Sequence, residues 1–413
     1  MLTPAQALRR ILRRVAEVSP LPAERVTLAQ ALGRALSEDV RAGRDLPAFD
    51  NAQMDGYALR AADAPRADAV LPVAFEVFAG DRPGRSLPPG TCARIFTGAP
   101  VPGGADCVEM QEEVRRRGRS ARFRRAAVRG RFVRAAGSDV ARGAVVARRG
   151  DVVDPGTIGL AAALGRAELA VPRRPRVGVL ATGNEVVALG GPIGPGEIFD
   201  SNSHALAAAC ADAGAVPTLL PIARDDIPSL RRALDVASGL DALVTTGGVS
   251  VGDRDLVKKA LAEAGARLDF WRVAMRPGKP FAFGTWGRMP FFGLPGNPAS
   301  ALVAFEIFAR PALRALQGLC GSGRLRVRAR LAVAQEKPAG QTVFLRCRLE
   351  GSEGDARAEP LASQQSGHLA SVAGLDALAV LPAGRARLRA GTLVEVVVLR
   401  SSSPSVRPGA RIG

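Results

Sequence analysis

From residue 176 onward, short apolar runs alternate with amphipathic runs, and no other feature of the sequence constrains the fold as strongly. Buried strands are predicted for "RVGVLATG", "VPTLLPIA", "DALVTTGG" and "MPFFG". Helices are predicted for the segments "SHALAAACADAG", "DIPSLRRALDVAS" and "DLVKKALAEAG", and for the long segment that ends in "ARPALRAL". Strands that alternate with helices predict a parallel-type sheet with helices on both faces. Ligands of such sheets bind in the loops beyond the carboxyl ends of the strands.

The segments on either side predict further domains. Residues 4–45 show helical spacing followed by turn signals, whereas residues 70–137 contain short β-like runs broken by Gly and Pro. β patterns return after residue 321. We therefore predict a multidomain α/β plus β protein with an N-terminal helical and linker domain (1–45 plus 138–172), a small β-rich second domain (46–137), a central α/β domain (173–320) and a C-terminal β-barrel-like domain (321–413).

The net charge of +18 comes almost entirely from arginine, because only four of the 57 basic residues are lysine. Aromatic residues make up 4% of the chain, so stacking surfaces for bases are scarce. The densest basic segment, 115–134, alternates apolar and basic positions and is predicted to be a solvated hairpin; a role in docking a partner stays open. We predict no nucleic-acid partner, while the charge suits acidic small-molecule ligands.

The cysteines and the N-terminus favour a cytoplasmic protein. None of the five cysteines forms a C-x-x-C pair, and His204 and His368 are far apart, which disfavours a structural zinc site. The sequence contains no run of about 18 apolar residues, so no membrane span is predicted. The first 18 residues lack the apolar region of a signal peptide and have the helical spacing of a packing helix; a transit peptide or a membrane-surface helix is the alternative.

Polar and glycine residues follow four of the predicted strands, at the carboxyl edge of the sheet. Glycines let backbone N–H groups approach an anion closely, and carboxylates suit Mg²⁺ shared with phosphate. The four loops therefore predict a phosphate and magnesium pocket. Their candidate residues are Thr182, Gly183 and Glu185; Asp225 and Asp226; Gly247, Gly248, Ser250, Asp253 and Asp255; and Gly293, Pro295, Gly296, Asn297 and Ser300.

Neighbouring residues strengthen or weaken this interpretation. Pro298 is predicted to open the last helix with Asn297 as its cap, and a helix N-terminus favours phosphate. Arg276 and Lys279 in "MRPGKPFAFG" supply cations against phosphoryl charge. A lone "GGVS" is more typical of an ordinary strand–helix turn than of a site, and "GLPGNP" alone is as typical of a turn as of a site. Asp226 is as typical of a helix cap as of a functional residue. The absence of a Walker A loop and of "GxGxxG" disfavours ATPase and dehydrogenase activity.

The motifs "GGVSVGDRD", "RPGKPFAFG" and "GLPGNPAS" resemble the molybdopterin-binding domain family. "PAFDNAQMDGYALR" (47–60) and "RIFTGAPVP" (94–102) narrow the resemblance to the molybdopterin molybdenumtransferase family, which is related to the gephyrin E domain, and it covers nearly the whole chain. The resemblance implies Mg²⁺-dependent cleavage of adenylylated molybdopterin, release of AMP and placement of molybdate on the dithiolene. It also implies a homodimer with the site built between subunits. An upstream molybdopterin adenylyltransferase and downstream molybdoenzyme chaperones are implied as protein partners.

The resemblance also assigns roles that the residues alone do not. Without it, Asp55-Gly56 is predicted to be a turn. Two departures from the family pattern are "DNAQMDGYA" in place of "DNSAMDGYA", and Arg276 where relatives often have lysine. The implied residues are Asp55, Thr97 and Asp139 as catalytic groups; Glu185, Asp225 and Asp255 as catalytic and metal-binding acids, with Asp226 as a further metal ligand; Lys279 as a catalytic and anion-binding cation; Arg346 as an anion ligand; and Ser366 as a polar site residue.

Two other functions remain open at this point. One is adenylyl transfer to molybdopterin, which a single-domain relative with the same sheet performs; the additional domains and "MDGYA" disfavour it. The other is a non-catalytic molybdopterin carrier or scaffold, which the acids at Asp55, Asp225 and Asp255 disfavour.

Overall fold

The computed structural model describes residues 1–248, 256–319, 321, 323–351 and 355–400. The chain forms two compact units. The first unit contains Met1–Glu24 and Pro172–Gly413, and the second unit contains Arg25–Val171. The second unit is therefore inserted between two parts of the first. Within the described ranges, no helix is both long and apolar enough to cross a bilayer.

The helices begin where capping and proline signals stand in the sequence. At the first helix, the backbone N–H of Gln6 donates to Thr3 Oγ1 at 3.3 Å, and the backbone N–H of Thr3 donates to Gln6 Oε1 at 2.9 Å, a reciprocal capping box. The helices are α1 (Pro4–Ala16), α2 (Leu28–Ala31), α3 (Pro155–Ala163), α4 (Ser201–Asp212), α5 (Ile227–Ala237), α6 (Leu256–Glu263), α7 (Pro298–Ala304) and α8 (Arg310–Leu316), with a π-helical turn (Phe305–Ala309) between α7 and α8 and 3₁₀ turns at Ala61–Asp63, Gln111–Glu113 and Leu369–Ser371.

The described part of the first unit contains a six-stranded sheet. Its strands are β13 (Arg176–Ala181), β16 (Val216–Leu219), β17 (Ala242–Thr246), β18 (Ala266–Trp271), β20 (Ala282–Trp286) and β21 (Met289–Leu294). They lie in the order β16-β13-β17-β21-β20-β18. The first four are parallel, which confirms the predicted α/β fold, while β20 and β18 add an antiparallel edge that the sequence pattern did not indicate.

Helices cover both faces of this sheet, because its central strands are apolar on both sides. One face packs Val179 and Val244 with Ile11 of α1 and Phe308 of the π-helical turn. The other face packs Leu243 with the apolar residues of α5 and α6. The predicted amphipathic helix at the N-terminus is thus part of the main core of the first unit.

The same unit contains a closed β-barrel, as the sequence predicted for the C-terminal part. Five strands close it through the pairing of β24 with β26, and β19 adds to β24 as a parallel neighbour. These strands are β19 (Met275–Arg276), β22 (Arg326–Leu331), β24 (Thr342–Glu350), β25 (Arg357–Pro360), β26 (Ala377–Leu381) and β28 (Leu393–Val398). Two further strand pairs are β14 (Val186–Val187) with β15 (Ile198–Phe199), and β23 (Gln335–Glu336) with β27 (Arg387–Leu388).

The second unit is rich in short strands, as predicted from its Gly and Pro punctuation. Its main sheet has the order β7-β4-β6-β5-β9-β8. Its strands are β4 (Gly56–Leu59), β5 (Val70–Val77), β6 (Cys92–Ile95), β7 (Cys107–Met110), β8 (Val114–Arg117) and β9 (Ser120–Phe123). The remaining pairs are β1 (Ala23–Thr27) with β12 (Glu168–Pro172), β2 (Val40–Arg41) with β11 (Val145–Ala147), and β3 (Asn51–Ala52) with β10 (Val133–Arg134).

Strands β8 and β9 form an antiparallel hairpin within the basic segment 115–134, in agreement with the sequence. Arg116 pairs with Glu76, and Arg122 pairs with Asp68, at exposed positions.

The division of the chain into two compact units does not set domain borders within either unit, so the predicted four-domain division stays a prediction.

Candidate active site

A cavity of about 1070 Å³ lies in the first unit at the carboxyl edge of the sheet. Ala181, Thr246 and Leu294 are paired in register, so β13, β17 and β21 end level with one another. The loops after these strands and after β16 all contribute to the cavity wall, which the sequence predicted. Of the predicted residues, the lining contains Thr182, Gly183, Glu185, Asp225, Gly247, Gly248, Pro295, Gly296 and Asn297.

The loops after β13 and β17 approach each other closely in the cavity wall. Gly247 has a φ of 84°, and a Cβ there would lie 2.3 Å from the carbonyl oxygen of Thr182. Only glycine therefore permits this approach. Thr182 is buried, and its Oγ1 has no hydrogen-bond partner among the described residues. A hydroxyl in that state in a cavity wall is available to a ligand.

Asn202 joins two of the loops, and the sequence analysis did not find it. Its Nδ2 donates to Thr246 Oγ1 at 2.9 Å and to the carbonyl oxygen of Gly296 at 2.7 Å. Thr246 Oγ1 in turn donates to the carbonyl oxygen of Pro295 at 3.1 Å. The only sequence signal for Asn202 was the run "DSN" (200–202) directly before the predicted helix. The predicted helix began at Ser203, whereas α4 begins two residues earlier and places Asn202 in the cavity wall.

Two carboxylates face the cavity from adjacent loops. Glu185 follows β13 and Asp225 follows β16. Burial raises the pKa of Asp225 above its usual value, and the negative charges of Glu185 and Asp226 raise it further, while a hydrogen bond with Asn184 opposes the shift. A cation bound between these carboxylates would reduce the repulsion between their negative charges.

Asp226 has a different place from the other predicted acids. Its Oδ1 accepts a hydrogen bond from the backbone N–H of Ser229 at 2.7 Å, so that it caps α5. It is not part of the cavity lining. The structure thus favours the helix-cap alternative for this residue over the metal-ligand alternative.

The donor set fits Mg²⁺ shared with a phosphate. Within the described ranges, no group of three or more His, Cys, Asp or Glu side chains is arranged to hold a metal ion. Mg²⁺ needs no such cage, because one or two carboxylates with substrate phosphate and water suffice. Glu185 and Asp225 would be those carboxylates. The predicted residues Ser250, Asp253 and Asp255 lie outside the described residues.

The predicted cations, Arg276 and Lys279, do not line the cavity. Arg276 ends β19 and Lys279 follows three residues later; both are exposed. Pro280, the neighbour of Lys279, is in the cavity wall. Gly293 is buried within β21, one residue before that strand ends, and it does not line the cavity.

The start of α7 is held by a loop that packs beside the barrel strands. Asn297 occupies the predicted N-cap position, but its side chain makes no capping bond. Its Nδ2 donates to Ser366 Oγ at 3.0 Å, and the backbone N–H of Ala299 donates to the carbonyl oxygen of Ser366 at 3.1 Å. Ser366 therefore supports the first turn of the helix, and its neighbour Gly367 lines the cavity.

Arg346 anchors this loop from within β24. It is 1% exposed, and its Nη2 donates to the carbonyl oxygens of Ser363 at 3.2 Å and Gln365 at 3.0 Å. Burial lowers the pKa of its guanidinium. Its Nε and Nη1 have no hydrogen-bond partner in the described part of the chain. It is not in the cavity wall, so its contacts are with the loop that carries Ser366 and Gly367.

Asp55, Thr97 and Asp139 lie in the second unit. Asp55 Oδ1 accepts hydrogen bonds from the backbone N–H of Thr97 at 2.8 Å and from Thr97 Oγ1 at 2.7 Å, which lower the pKa of Asp55. Gly56 opens β4, where a Cβ would lie 1.9 Å from the carbonyl oxygen of Glu109. Asp139 is exposed, and its backbone N–H donates to the carbonyl oxygen of Leu46.

Comparison with known proteins gives a consistent picture. Residues 2–165 match the MoeA N-terminal region (domain I and II), residues 178–315 the probable molybdopterin binding domain, and residues 328–399 the MoeA C-terminal region (domain IV). Molybdopterin molybdenumtransferase 2 of Mycobacterium tuberculosis is 41% identical over 382 residues, 90% of this chain and 94% of the relative. The chain belongs to the molybdopterin molybdenumtransferase family.

Other members of the molybdopterin molybdenumtransferase family agree in sequence and fold. The Bacillus subtilis protein of that name is 34% identical over 394 residues, 93% of this chain and 92% of the relative. A solved structure of the molybdopterin biosynthesis protein MoeA from Pyrococcus horikoshii superposes with a TM-score of 0.84 at 32% identity, covering 97% of this chain and all of that one. The family resemblance and the fold class predicted from the sequence are both confirmed.

Proposed function

We propose that this enzyme inserts molybdate into adenylylated molybdopterin, with Mg²⁺-dependent cleavage of the adenylate and release of AMP. One observation carries the proposal. Glu185 and Asp225 share a cavity with the Gly247–Gly248 turn and with the first turn of α7. Carboxylates beside a glycine turn and a helix N-terminus suit a magnesium-bound pyrophosphate. Family membership supplies the identity of the substrate.

The roles of the side chains follow from their positions. The glycine turn and the first turn of α7 would bind phosphate oxygens through backbone N–H groups. Glu185 and Asp225 would hold Mg²⁺, which supplies charge neutralisation at the phosphates during cleavage. Lys279, which is exposed next to Pro280 of the cavity wall, and Arg276, which is exposed three residues earlier, would offset further negative charge. Thr182 Oγ1, which has no partner among the described residues, would donate a hydrogen bond to the substrate.

We also propose that the protein acts as a homodimer in the cytosol. The family resemblance supports a dimer with shared sites, in which Asp55, Thr97 and Asp139 act with the cavity acids. The described cysteines are buried and free of disulfides, which supports a reducing compartment. Mixing inactive Asp55→Asn and Asp225→Asn proteins tests the shared site. Subunit exchange should restore part of the activity if each site uses both subunits, whereas an inactive mixture of proven heterodimers would reject sharing.

The central experiment is a turnover assay. Purified protein is incubated with adenylylated molybdopterin, Mg²⁺ and molybdate, and AMP is measured together with molybdenum retained on the pterin. Equal amounts of AMP and bound molybdenum support insertion. Tight pterin binding without AMP release would instead identify a carrier or scaffold. Consumption of ATP with molybdopterin as acceptor would identify an adenylyltransferase.

A further inference from the structure

The cavity has an apolar wall that phosphate and metal binding do not explain. Val186, Ile198 and Phe199 line it on the strand pair β14 and β15. Ile198 is 55% exposed and Phe199 is 40% exposed. Large apolar side chains left open inside a binding cavity are normally covered by an apolar part of the ligand.

This wall is fixed in place by backbone and side-chain hydrogen bonds. The backbone N–H of Ile198 donates to the carbonyl oxygen of Glu185 at 2.7 Å, and that of Asp200 donates to the carbonyl oxygen of Val187 at 2.9 Å. Glu197 Oε2 accepts from the backbone N–H of Gly194 at 2.8 Å, which closes the turn between the strands. Because Ile198 donates to the backbone carbonyl oxygen of Glu185, a main-chain hydrogen bond joins the apolar wall to a residue of the cavity lining.

The volume of the cavity and the chemistry of its lining indicate which kind of ligand group would cover the apolar wall. A cavity of about 1070 Å³ is far larger than a phosphate and a cation need. Phe199 is the sole aromatic residue among the lining residues that the structure describes. The face of a phenyl ring packs best against a second flat ring in an offset or edge-on arrangement.

We infer that Phe199 forms a subsite for a flat heteroaromatic ring attached to the phosphate bound at the glycine turn. The identity of the ring rests on the proposed function: the substrate carries both an adenine and a pterin. The subsite determines which end of the substrate enters this part of the cavity. Phe199 is therefore a specificity residue for the ring, separate from the carboxylates that act on the phosphates.

The test measures binding by calorimetry in the presence of Mg²⁺, with AMP, ribose 5-phosphate and pterin-6-carboxylate as probes. Phe199→Ala should weaken the ring-bearing probe that uses the subsite by about 2- to 12-fold, the range expected for loss of one aromatic contact. Ribose 5-phosphate, which has no ring system, should bind Phe199→Ala and the wild type equally. If Phe199→Ala weakens the binding of AMP alone, the ring in the subsite is adenine. If it weakens the binding of pterin-6-carboxylate alone, the ring is the pterin.

A matched control lies in the same loop. Leu189 is 54% exposed but does not line the cavity, so Leu189→Ala should leave all three affinities unchanged. Phe199→Tyr should retain ring binding because the aromatic face remains. Equal weakening of AMP and ribose 5-phosphate, no effect of Phe199→Ala, or no binding of either ring by the wild type would each overturn the inference. Failure to release AMP in turnover would reject the proposed function and leave these titrations fully interpretable.

Discussion

The amide of Asn202 and the hydroxyl of Thr246 lie 2.9 Å apart, although 44 positions separate them in the chain. The same amide reaches the carbonyl oxygen of Gly296, so one side chain from α4 ties the end of β17 to the loop after β21. Both loops carry backbone groups proposed to bind phosphate. The geometry of the phosphate site therefore depends on a residue that need not touch the phosphate.

Asn202→Ala should lower both stability and substrate affinity. Thr246 is buried, and removal of its donor leaves its hydroxyl one partner short, at a cost of about 1–3 kcal/mol in the free energy of unfolding. Urea unfolding and the KM for adenylylated molybdopterin are the measurements. His204→Ala, at an exposed position of the same helix, is the control. Additive effects of Asn202→Ala and Thr246→Val in a double-mutant cycle would contradict the proposed coupling.

The Asp55–Thr97 pair predicts a pH effect. Because the pKa of Asp55 is lowered in the folded protein, its contribution to stability is present above the unfolded carboxyl pKa and is lost as pH falls through the folded value. Thr97→Val removes the hydroxyl bond but keeps the backbone bond, so the pKa of Asp55 should rise part of the way back. Carboxyl NMR titration measures this directly. Thr91 Oγ1 donates to the carbonyl oxygen of Pro88, so Thr91→Val should leave the pKa of Asp55 unchanged.

Arg346→Met should loosen the loop that supports α7. The substitution keeps an apolar stem in β24 but leaves the carbonyl oxygens of Ser363 and Gln365 without their guanidinium partner. Hydrogen exchange should become faster in residues 361–368 and at the Ala299 amide, which donates to Ser366. Arg348→Met, exposed on the same strand, is the matched control. Unchanged exchange at Ala299 would show that Arg346 acts elsewhere.

The described cysteines should resist alkylation. Burial raises the pKa of Cys92, Cys107, Cys210 and Cys347 to about 12, so almost no thiolate is present at neutral pH. Iodoacetamide at pH 8 should leave these four thiols unmodified in the native protein and modify them after unfolding in urea. Site-by-site mass spectrometry reads the result. Rapid native labelling of any of the four would contradict the burial on which the expectation rests.

The sequence predicted those residues of the site that directly follow a recognisable strand. Buried strands such as β13 and β17 are continuous apolar runs, so their carboxyl ends, with Thr182 and Gly247, could be placed at one edge. Asn202 could not be found in this way, because its partners are distant in sequence and a helix start explains it locally. The antiparallel strand β18 was also missed, since most of its residues are half-exposed and lack an apolar run. Phe199 stands in a two-residue strand with no periodic pattern around it.

The insertion of the second unit has a consequence for the order of events during synthesis. Ile11 and Val15 of α1 complete a core that also needs Phe308 and Leu313, which leave the ribosome roughly 300 residues later. At about 5–20 residues per second, the first helix waits roughly 15–60 s for its partners. The inserted unit is finished during this interval and can fold while its host is still incomplete. The apolar face of an amphipathic, arginine-rich helix therefore has to stay without these partners until synthesis is nearly complete.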